Sequence, residues 1–393
     1  MTDVVIAGAA RTAIGSYGKS LKDIAPSDLG ATASRAAIER AGIAPDDVGH
    51  VVFGNVIHTE PGDMYMARVV GMKSGIPKET PAYTVNRLCG TGVQAIVSAA
   101  QTIQTGETEI ALAGGAESMS RGQYWMPGAR FGARMGDAPL VDAVVGALTD
   151  PFDKDHMGIT AERLAERGSI SRERQDAFAA ESHRRAAAAR AEGRFKDQIV
   201  PVEVKVKKDT VAFDQDEHIR AEVDADAMGR LRPAFDPDGT VTAGNASGLN
   251  DAGAAVVLMS SSEAERRGAP VLGRILAYAS CGVDPRIMGI GPVPATRKVL
   301  EKSGRSLDDV GVIELNEAFA AQALAVIDEL GLDEAKVNPN GGAIALGHPV
   351  AATGAAITVK LLAEMERGGH ELGLATLCIG GGQGIALLVG RDA

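Results

Sequence analysis

The sequence predicts an α/β fold made of two copies of one unit, with a long insertion in the first copy. Three observations point there: short motifs that recur in the same order, apolar runs that lead into glycines, and an unusual composition. Glycine is abundant (48 of 393 residues) while aromatics make up only 4%. That balance favours tight turns and close backbone approaches, as in sheets covered by helices. A chain of this length also exceeds what a single core usually supports, so at least two domains are expected.

The copies align in order. Ile38–Gly49 resembles Leu300–Gly311 without a gap: Gly42, Asp46, Asp47, Val48 and Gly49 match Gly304, Asp308, Asp309, Val310 and Gly311 at an offset of 262. In each, a helix ends near the glycine, a turn follows and an apolar strand begins (Val51-Val-Phe, Val312-Ile). Thr84-Val-Asn86 then parallels Lys336-Val-Asn338, each leading through a glycine-bearing loop into a helix. Ile110–Gly115 parallels Leu374–Gly381, each an apolar strand running into glycines. Gly248–Leu258 finally parallels Gly380–Val389.

Between the third and fourth of these motifs the first copy carries roughly 130 extra residues, from Ser118 to about Asn245. Ser171, with Glu173 in the first turn, starts an amphipathic helix there. Val202, Val204 and Val206 alternate with Glu203, Lys205 and Lys207, which reads as a half-buried strand. These lysines, with Lys208, read as a solvated face. The expected division is residues 1–118 with 246–268, an insertion over 119–245, and a second half over 269–393.

A net charge of −11 argues against nucleic-acid or anionic-membrane partners. The N-terminus reads as a strand rather than a signal peptide, no apolar run would span a bilayer, and Gly390–Ala393 carries no targeting tripeptide. A cytoplasmic protein is the default. Three cysteines (89, 281, 378) in a reducing compartment do not suggest disulfides. The seven histidines show neither HExxH nor clustered Cys/His spacing, so no metal is expected.

Cys89 lies just before a helix marked by Val93, Ile96, Val97, Ala100 and Ile103 and closed by Gly106. Free amides and the helix dipole there are expected to lower its pKa from about 8.5 toward neutrality. Gly90 and Gly92 leave room for a group to approach the sulfur. His348 occupies the equivalent loop of the second copy, between Gly347 and Pro349 and ahead of a helix with Ile357, Leu361 and Met365. Symmetry makes Cys89 and His348 neighbours, the nucleophile–base pairing a thiol catalyst needs. Cys378 ends a strand and enters Ile379–Gly384, whose backbone N–H groups could bind an oxyanion. Asn316, after the Val312 strand, could orient a water or a carbonyl.

Taken together, Asn86–Gly92, Gly114–Met119, Asn245–Asp251, Asn316–Phe319, Gly347–Pro349 and Cys378–Gly384 resemble the thiolase family. They do so in the expected order and over nearly the whole chain. The likeness is to biosynthetic acetyl-CoA acetyltransferases and bacterial β-ketothiolases, and His58–Met66 leans toward the latter. One departure is visible: Ala351 stands where the family usually has glycine, two residues past the Pro. Strain would follow if that position needed a positive φ.

The resemblance implies two similar five-stranded mixed sheets with helices in layers, plus an inserted loop domain. It implies reversible Claisen condensation of acyl-CoA with acetyl-CoA, and thiolysis of 3-ketoacyl-CoA, through an acyl-thioester on Cys89. His348 would be the base and Cys378 the second acid/base. One oxyanion hole would come from His348 and a water held by Asn316, the other from the N–H groups of Cys89 and Gly380. The insertion would carry the coenzyme. Arg220 would lie at the nucleotide end and Ser247 at the pantetheine arm, while Leu148, His156, Met157, Phe235, Ala243 and Phe319 would line the tunnel. Coenzyme A thioesters would be substrates with no permanently bound cofactor, and the assembly a homotetramer, a dimer of dimers. A ketoacyl synthase would carry a second His in place of Cys378. A non-catalytic acyl-CoA-binding subunit would not need both cysteines, the His and the Asn. A nicotinamide enzyme is disfavoured because Val4–Ala9 lacks a G-x-G-x-x-G turn.

Overall fold

The computed structural model describes residues 2–391; Met1, Asp392 and Ala393, the extreme ends of the expected division and of the C-terminal tetrapeptide, lie outside the described residues. Nine strands form the main path of one mixed sheet. Their order is Val312–Leu315, Leu372–Ile379, Gln383–Gly390, Gly273–Gly282, Val4–Thr12, Asn250–Ser260, Ile110–Ser118, His50–Gly54 and Ala82–Val85. The two copies meet at the centre, where Val5 and Ile6 pair with Arg274 and Gly273. Outward from that seam each copy repeats one pattern: two antiparallel pairings, then a parallel one.

The first copy has its five strands, the outermost being Ala82–Val85 alongside His50–Gly54. In the second, the fifth strand shrinks to a single parallel bridge between Ile313 and Val337. Asn338 explains the contraction. Its carboxamide donates to the Leu315 carbonyl (2.8 Å) and accepts from the Leu315 N–H (2.9 Å), doing with a side chain what a further ladder residue would do.

Alternation along the strands sends odd and even residues to opposite faces. Val4 and Ile6 join a core with Ile96, Ile103, Leu361 and Met365 from the two central helices, Thr91–Gln104 and Val350–Gly368, which lie between the inner faces of both half-sheets. Val5 and Ala7 instead face the Pro26–Arg40 helix. The outer face of the second half packs on Pro292–Ser303 and Ala320–Leu330. Helix, sheet, helix, sheet and helix thus alternate through the molecule.

Two buried ion pairs tie elements to this stack. Arg11 grips Asp216 of the inserted segment through two bonds (2.7 and 2.9 Å). Lys360 of the second central helix reaches Glu314 (2.8 Å) and the Gly341 carbonyl (2.7 Å).

Most of the expected local structure is present. Ser171 caps the Arg172–Ala191 helix, accepting from the Arg174 N–H. Val202–Val206 is a strand with Val202 and Val204 buried, but Val206 is exposed along with the neighbouring lysines. Gly42 and Gly304 both adopt left-handed backbone (φ 69° and 65°) after their helices. One reading needs correction: Gly114 and Gly115 do not end the apolar strand but lie inside Ile110–Ser118. They are glycines because a Cβ would meet Phe53 at 2.5 Å at the first and the Ala351 carbonyl oxygen at 2.0 Å at the second.

Candidate active site

Cys89 sits in a single tight turn, Leu88–Gly90, that runs directly into the Thr91–Gln104 helix. Local bonds shape it: the Asn86 side chain accepts from the Leu88 N–H (2.9 Å), and Thr91 Oγ1 accepts from the Arg87 N–H (2.8 Å). Leu88 takes φ 45°, a region that costs an L-residue about 1–2 kcal/mol. His348 has a parallel setting, preceded by Gly347 at φ 113° and followed by Pro349, the N-cap of Val350–Gly368. Cys89 and His348 therefore each stand at the mouth of one central helix, after a residue with positive φ.

The helix-mouth position does not produce the expected acidic thiol. Burial pushes Cys89 up to about 11, outweighing the Gly380 and Cys89 N–H groups that draw it down; the charge of Glu117 adds to the rise. The sulfur packs among Ile57, Met119, Val144 and Val350, and loss of hydration there exceeds what the free amides return. The shift at this half-buried residue thus runs upward, opposite to the expected lowering toward neutrality.

His348 is buried, and burial pushes its imidazole down to about 4. Its N–H donates to Asn250 Oδ1 (2.9 Å), and Asn250 is anchored on the Gly15 carbonyl (3.0 Å). Nδ1 lies 2.7 Å from Thr353 Oγ1, whose hydroxyl donates to the Pro349 carbonyl (3.1 Å). With its own proton spent on that carbonyl, the Thr353 oxygen is left to accept from Nδ1–H. Nε2 then carries a bare lone pair, and it has no partner in the protein. That is the tautomer a base needs.

Cys378 is fully buried, next to last in its strand. Burial, and then the neighbouring Cys89, hold its thiol far above the ordinary range. Gly90 faces the same strand end, since a Cβ there would lie 2.5 Å from Ile379. Asn316 is buried beyond Val312–Leu315, and both atoms of its carboxamide lack a partner. Unsatisfied buried polar atoms are costly, and Asn316 and His348 are among the residues that carry them.

The expected tunnel residues divide. His156 stacks on Phe235 (4.6 Å between centroids), which meets Phe319 edge-on (6.0 Å). Met157 borders Gly380, and its N–H donates to the Leu148 carbonyl (2.8 Å), while Leu148 packs in the cluster that contains Cys89. Ser247 donates its N–H to the carbonyl of Ala318, beside Phe319 (3.0 Å). Ala243 and Arg220 are both exposed. The Arg220 N–H donates to His183 Nδ1 (3.2 Å). Among the described residues no group of three or more His, Cys, Asp or Glu side chains could hold a metal ion, and no helix is long and apolar enough to cross a membrane.

Residues 4–262 match the thiolase N-terminal domain and residues 269–391 the thiolase C-terminal domain. The chain belongs to the thiolase family. It is 60% identical over 390 residues to the β-ketothiolase BktB of Cupriavidus necator, covering 99% of each chain. It is 52% identical to an acetyl-CoA acetyltransferase of Pseudomonas aeruginosa, covering both chains completely. Among solved structures, human mitochondrial 3-ketoacyl-CoA thiolase superposes with a TM-score of 0.97 at 45% identity, covering 100% of this chain and 99% of that one. This thiolase is accordingly an acyltransferase.

Sequence reasoning passed over the residues that hold the reacting groups in place. Thr353 and Asn250 fix His348, and Glu317 secures the approach to it by accepting from Ser182 (2.7 Å), Asn338 (2.8 Å) and the Ile344 N–H (3.2 Å). Asn250 and Glu317 lay inside recognised motifs. Thr353, five residues past His348 in a predicted helix, could have been found from that spacing.

Proposed function

We propose that this thiolase condenses an acyl-CoA with acetyl-CoA, and cleaves 3-ketoacyl-CoA in reverse, by acyl transfer through Cys89. The observation that carries the reading is the buried His348 Nε2, which has no partner in the protein while Nδ1 is held by Thr353. Nε2 takes the proton of Cys89 as the sulfur attacks the acyl-CoA carbonyl. The departing CoA thiolate takes the proton of Cys378, leaving acyl-Cys89, a His348 imidazolium and a Cys378 thiolate. A second acetyl-CoA enters and Cys378 removes a proton from its methyl group. The carbanion attacks the acyl carbonyl, and Cys89 leaves and recovers its proton from His348. Every group returns to its starting state.

The high basicity expected of a buried Cys378 thiolate suits it to carbon acid chemistry. Asn316, through a water, and His348 would steady one thioester oxygen; the N–H groups of Cys89 and Gly380 would steady the other. Ser247, Leu148, His156, Met157, Phe235, Ala243 and Phe319 would form the acyl-pantetheine tunnel, with Arg220 at the nucleotide end and no permanently bound cofactor. The His156 ring stacked on Phe235, with Phe319 edge-on to it, supports that path. A homologous human mitochondrial thiolase has been solved in complex with CoA.

Residues 1–118 with 246–268, 119–245 and 269–393 would serve as nucleophile half, coenzyme-binding insertion and base half. A cytoplasmic homotetramer is the proposed working form. Exposed apolar side chains along one stretch of the insertion, among them Trp125, Phe131 and Met135, support an assembly that covers them.

The test is mass spectrometry of intact protein after incubation with acetyl-CoA. A stoichiometric acetyl adduct is expected on the wild type and none on Cys89→Ala. An adduct that survives in that variant would remove Cys89 from its role.

A further inference from the structure

Glu117 is a fully buried carboxylate that the chemistry above does not use. It lies near the end of Ile110–Ser118, in the half that carries Cys89. Oε1 accepts from the Asn55 carboxamide and the Ile57 N–H, both at 3.0 Å. Oε2 accepts from the Ala351 N–H, also at 3.0 Å. The first two donors belong to the loop after His50–Gly54; the third lies in the first turn of the helix that starts just past His348. The same strand presents Gly115 to this turn, so closely that a Cβ would lie 2.0 Å from the Ala351 carbonyl oxygen. One strand of the nucleophile half therefore holds the helix that follows the base, by a backbone contact and by a side-chain hydrogen bond.

We infer that Glu117 is a positioning residue for His348, its carboxylate fixing the Val350–Gly368 helix start and thereby the place of Nε2 relative to Cys89. The inference rests on the acyl-transfer reading. Only Pro349 and Val350 separate His348 from the gripped amide, and proline fixes its own φ. A displacement of the first turn therefore passes to the imidazole rather than being absorbed. The chemistry suits the ionised form: all three partners are donors, and a carboxylate offers only acceptors. The positive end of the helix adds to the attraction. Burial raises Glu117 to about 8, with Asp63 adding to the rise, against the N–H groups of Ile57, Ala351 and Val56 that lower it. This contact is one of those by which the two halves hold the reacting groups at a common point.

The experiment uses the full-length protein and acetyl-CoA, with Glu117→Gln and Glu117→Asp compared to wild type. Glutamine turns an NH2 group toward one of the three donors, whereas aspartate keeps the charge on a shorter arm. Cys89 acetylation is timed by quench and mass spectrometry, KM is measured by steady-state assay, and deuterium uptake is followed in the peptide containing Ala351. Glu117→Gln is expected to slow acetylation about 10- to 100-fold with KM unchanged and uptake accelerated at Ala351, and Glu117→Asp to recover part of the rate. Wild-type acetylation in Glu117→Gln would overturn the inference, as would a rate and a KM that worsen together with uptake rising across the whole chain. Should neither variant fold, wild-type exchange at Ala351 decides: protection supports the bond, and exchange as fast as at frayed helix ends overturns it. Absence of any adduct on the wild type would instead defeat the acyl-transfer reading itself.

Discussion

Gly92 and Gly354 face each other where the two central helices cross. A Cβ on Gly92 would lie 2.3 Å from the Ala355 nitrogen, and one on Gly354 would lie 2.4 Å from the Val93 nitrogen. The helices that follow Cys89 and His348 thus touch backbone to backbone near their N-terminal ends, which draws together loops 259 positions apart in a duplicated chain. Gly354→Ala would force the helices apart. It is expected to cost about 1–3 kcal/mol of stability, as overpacking does, and to lower kcat more than the lost stability alone explains. Chemical denaturation and steady-state assays check both.

Ala351 is helical and buried, and it is not among the residues with positive φ. The strain that its methyl group would bring at a left-handed position does not arise. Ala351→Gly should therefore destabilise the protein by about 0.5–1 kcal/mol, the usual helical preference for alanine, with kcat unchanged. A gain in stability on thermal denaturation would contradict this account.

With its thiol near 11 and its partner imidazole near 4, the resting pair of Cys89 and His348 is neutral on both sides over the pH range between those values. Below the first value the thiol keeps its proton; above the second the ring has lost one. Alkylation of Cys89 by iodoacetamide, followed by peptide mapping, should keep rising as the pH is raised toward 11. A plateau reached below about pH 7 would reveal a preformed thiolate–imidazolium pair instead.

Thr353 Oγ1 lies 2.7 Å from His348 Nδ1 and, with its own proton donated to the Pro349 carbonyl, is placed to accept from the ring. Thr353→Val is nearly the same shape but leaves that donor unpaired in the interior, at a cost of about 1–3 kcal/mol. It should lower kcat roughly 10- to 100-fold, while Thr353→Ser stays near wild type. Equal activity of the Val and Ser variants would show that the hydroxyl does not set the tautomer.

Cys378→Ala separates the two half-reactions. The variant should still form the acetyl adduct on Cys89, more slowly, and fail to release acetoacetyl-CoA. Condensation at the wild-type rate, read by product chromatography, would assign the carbon-acid proton to another group.

The strands and helices were legible because the chain states them twice: what one copy left ambiguous, such as the turn at Gly42, the other repeated at Gly304. The same repetition misled where the copies diverge. Asn338 matches Asn86 in sequence, yet its side chain replaces a ladder residue and the fifth strand contracts to a bridge. The candidate reacting residues could be proposed from their loops, but the direction in which the Cys89 thiol shifts could not. A helix N-terminus can be read from spacing; the burial that outweighs it depends on Met119, Val144 and Val350, distant in sequence. Glu117 was invisible for a related reason, since its task lies in Ala351, which belongs to the other half.

The pairing of Val4 with Ser260, and of Val5 with Arg274, sets a timetable for synthesis. The strand Val4–Thr12 is nine residues long and entirely buried in the finished protein, yet its two long neighbours, Asn250–Ser260 and Gly273–Gly282, follow the whole insertion, and only the short Ile199–Val200 pairs with it from within. Until then its open edges can recruit other chains. Such distant closure also makes for slow folding. A strand at the centre of the finished sheet is therefore among the last to be enclosed on both edges along its length.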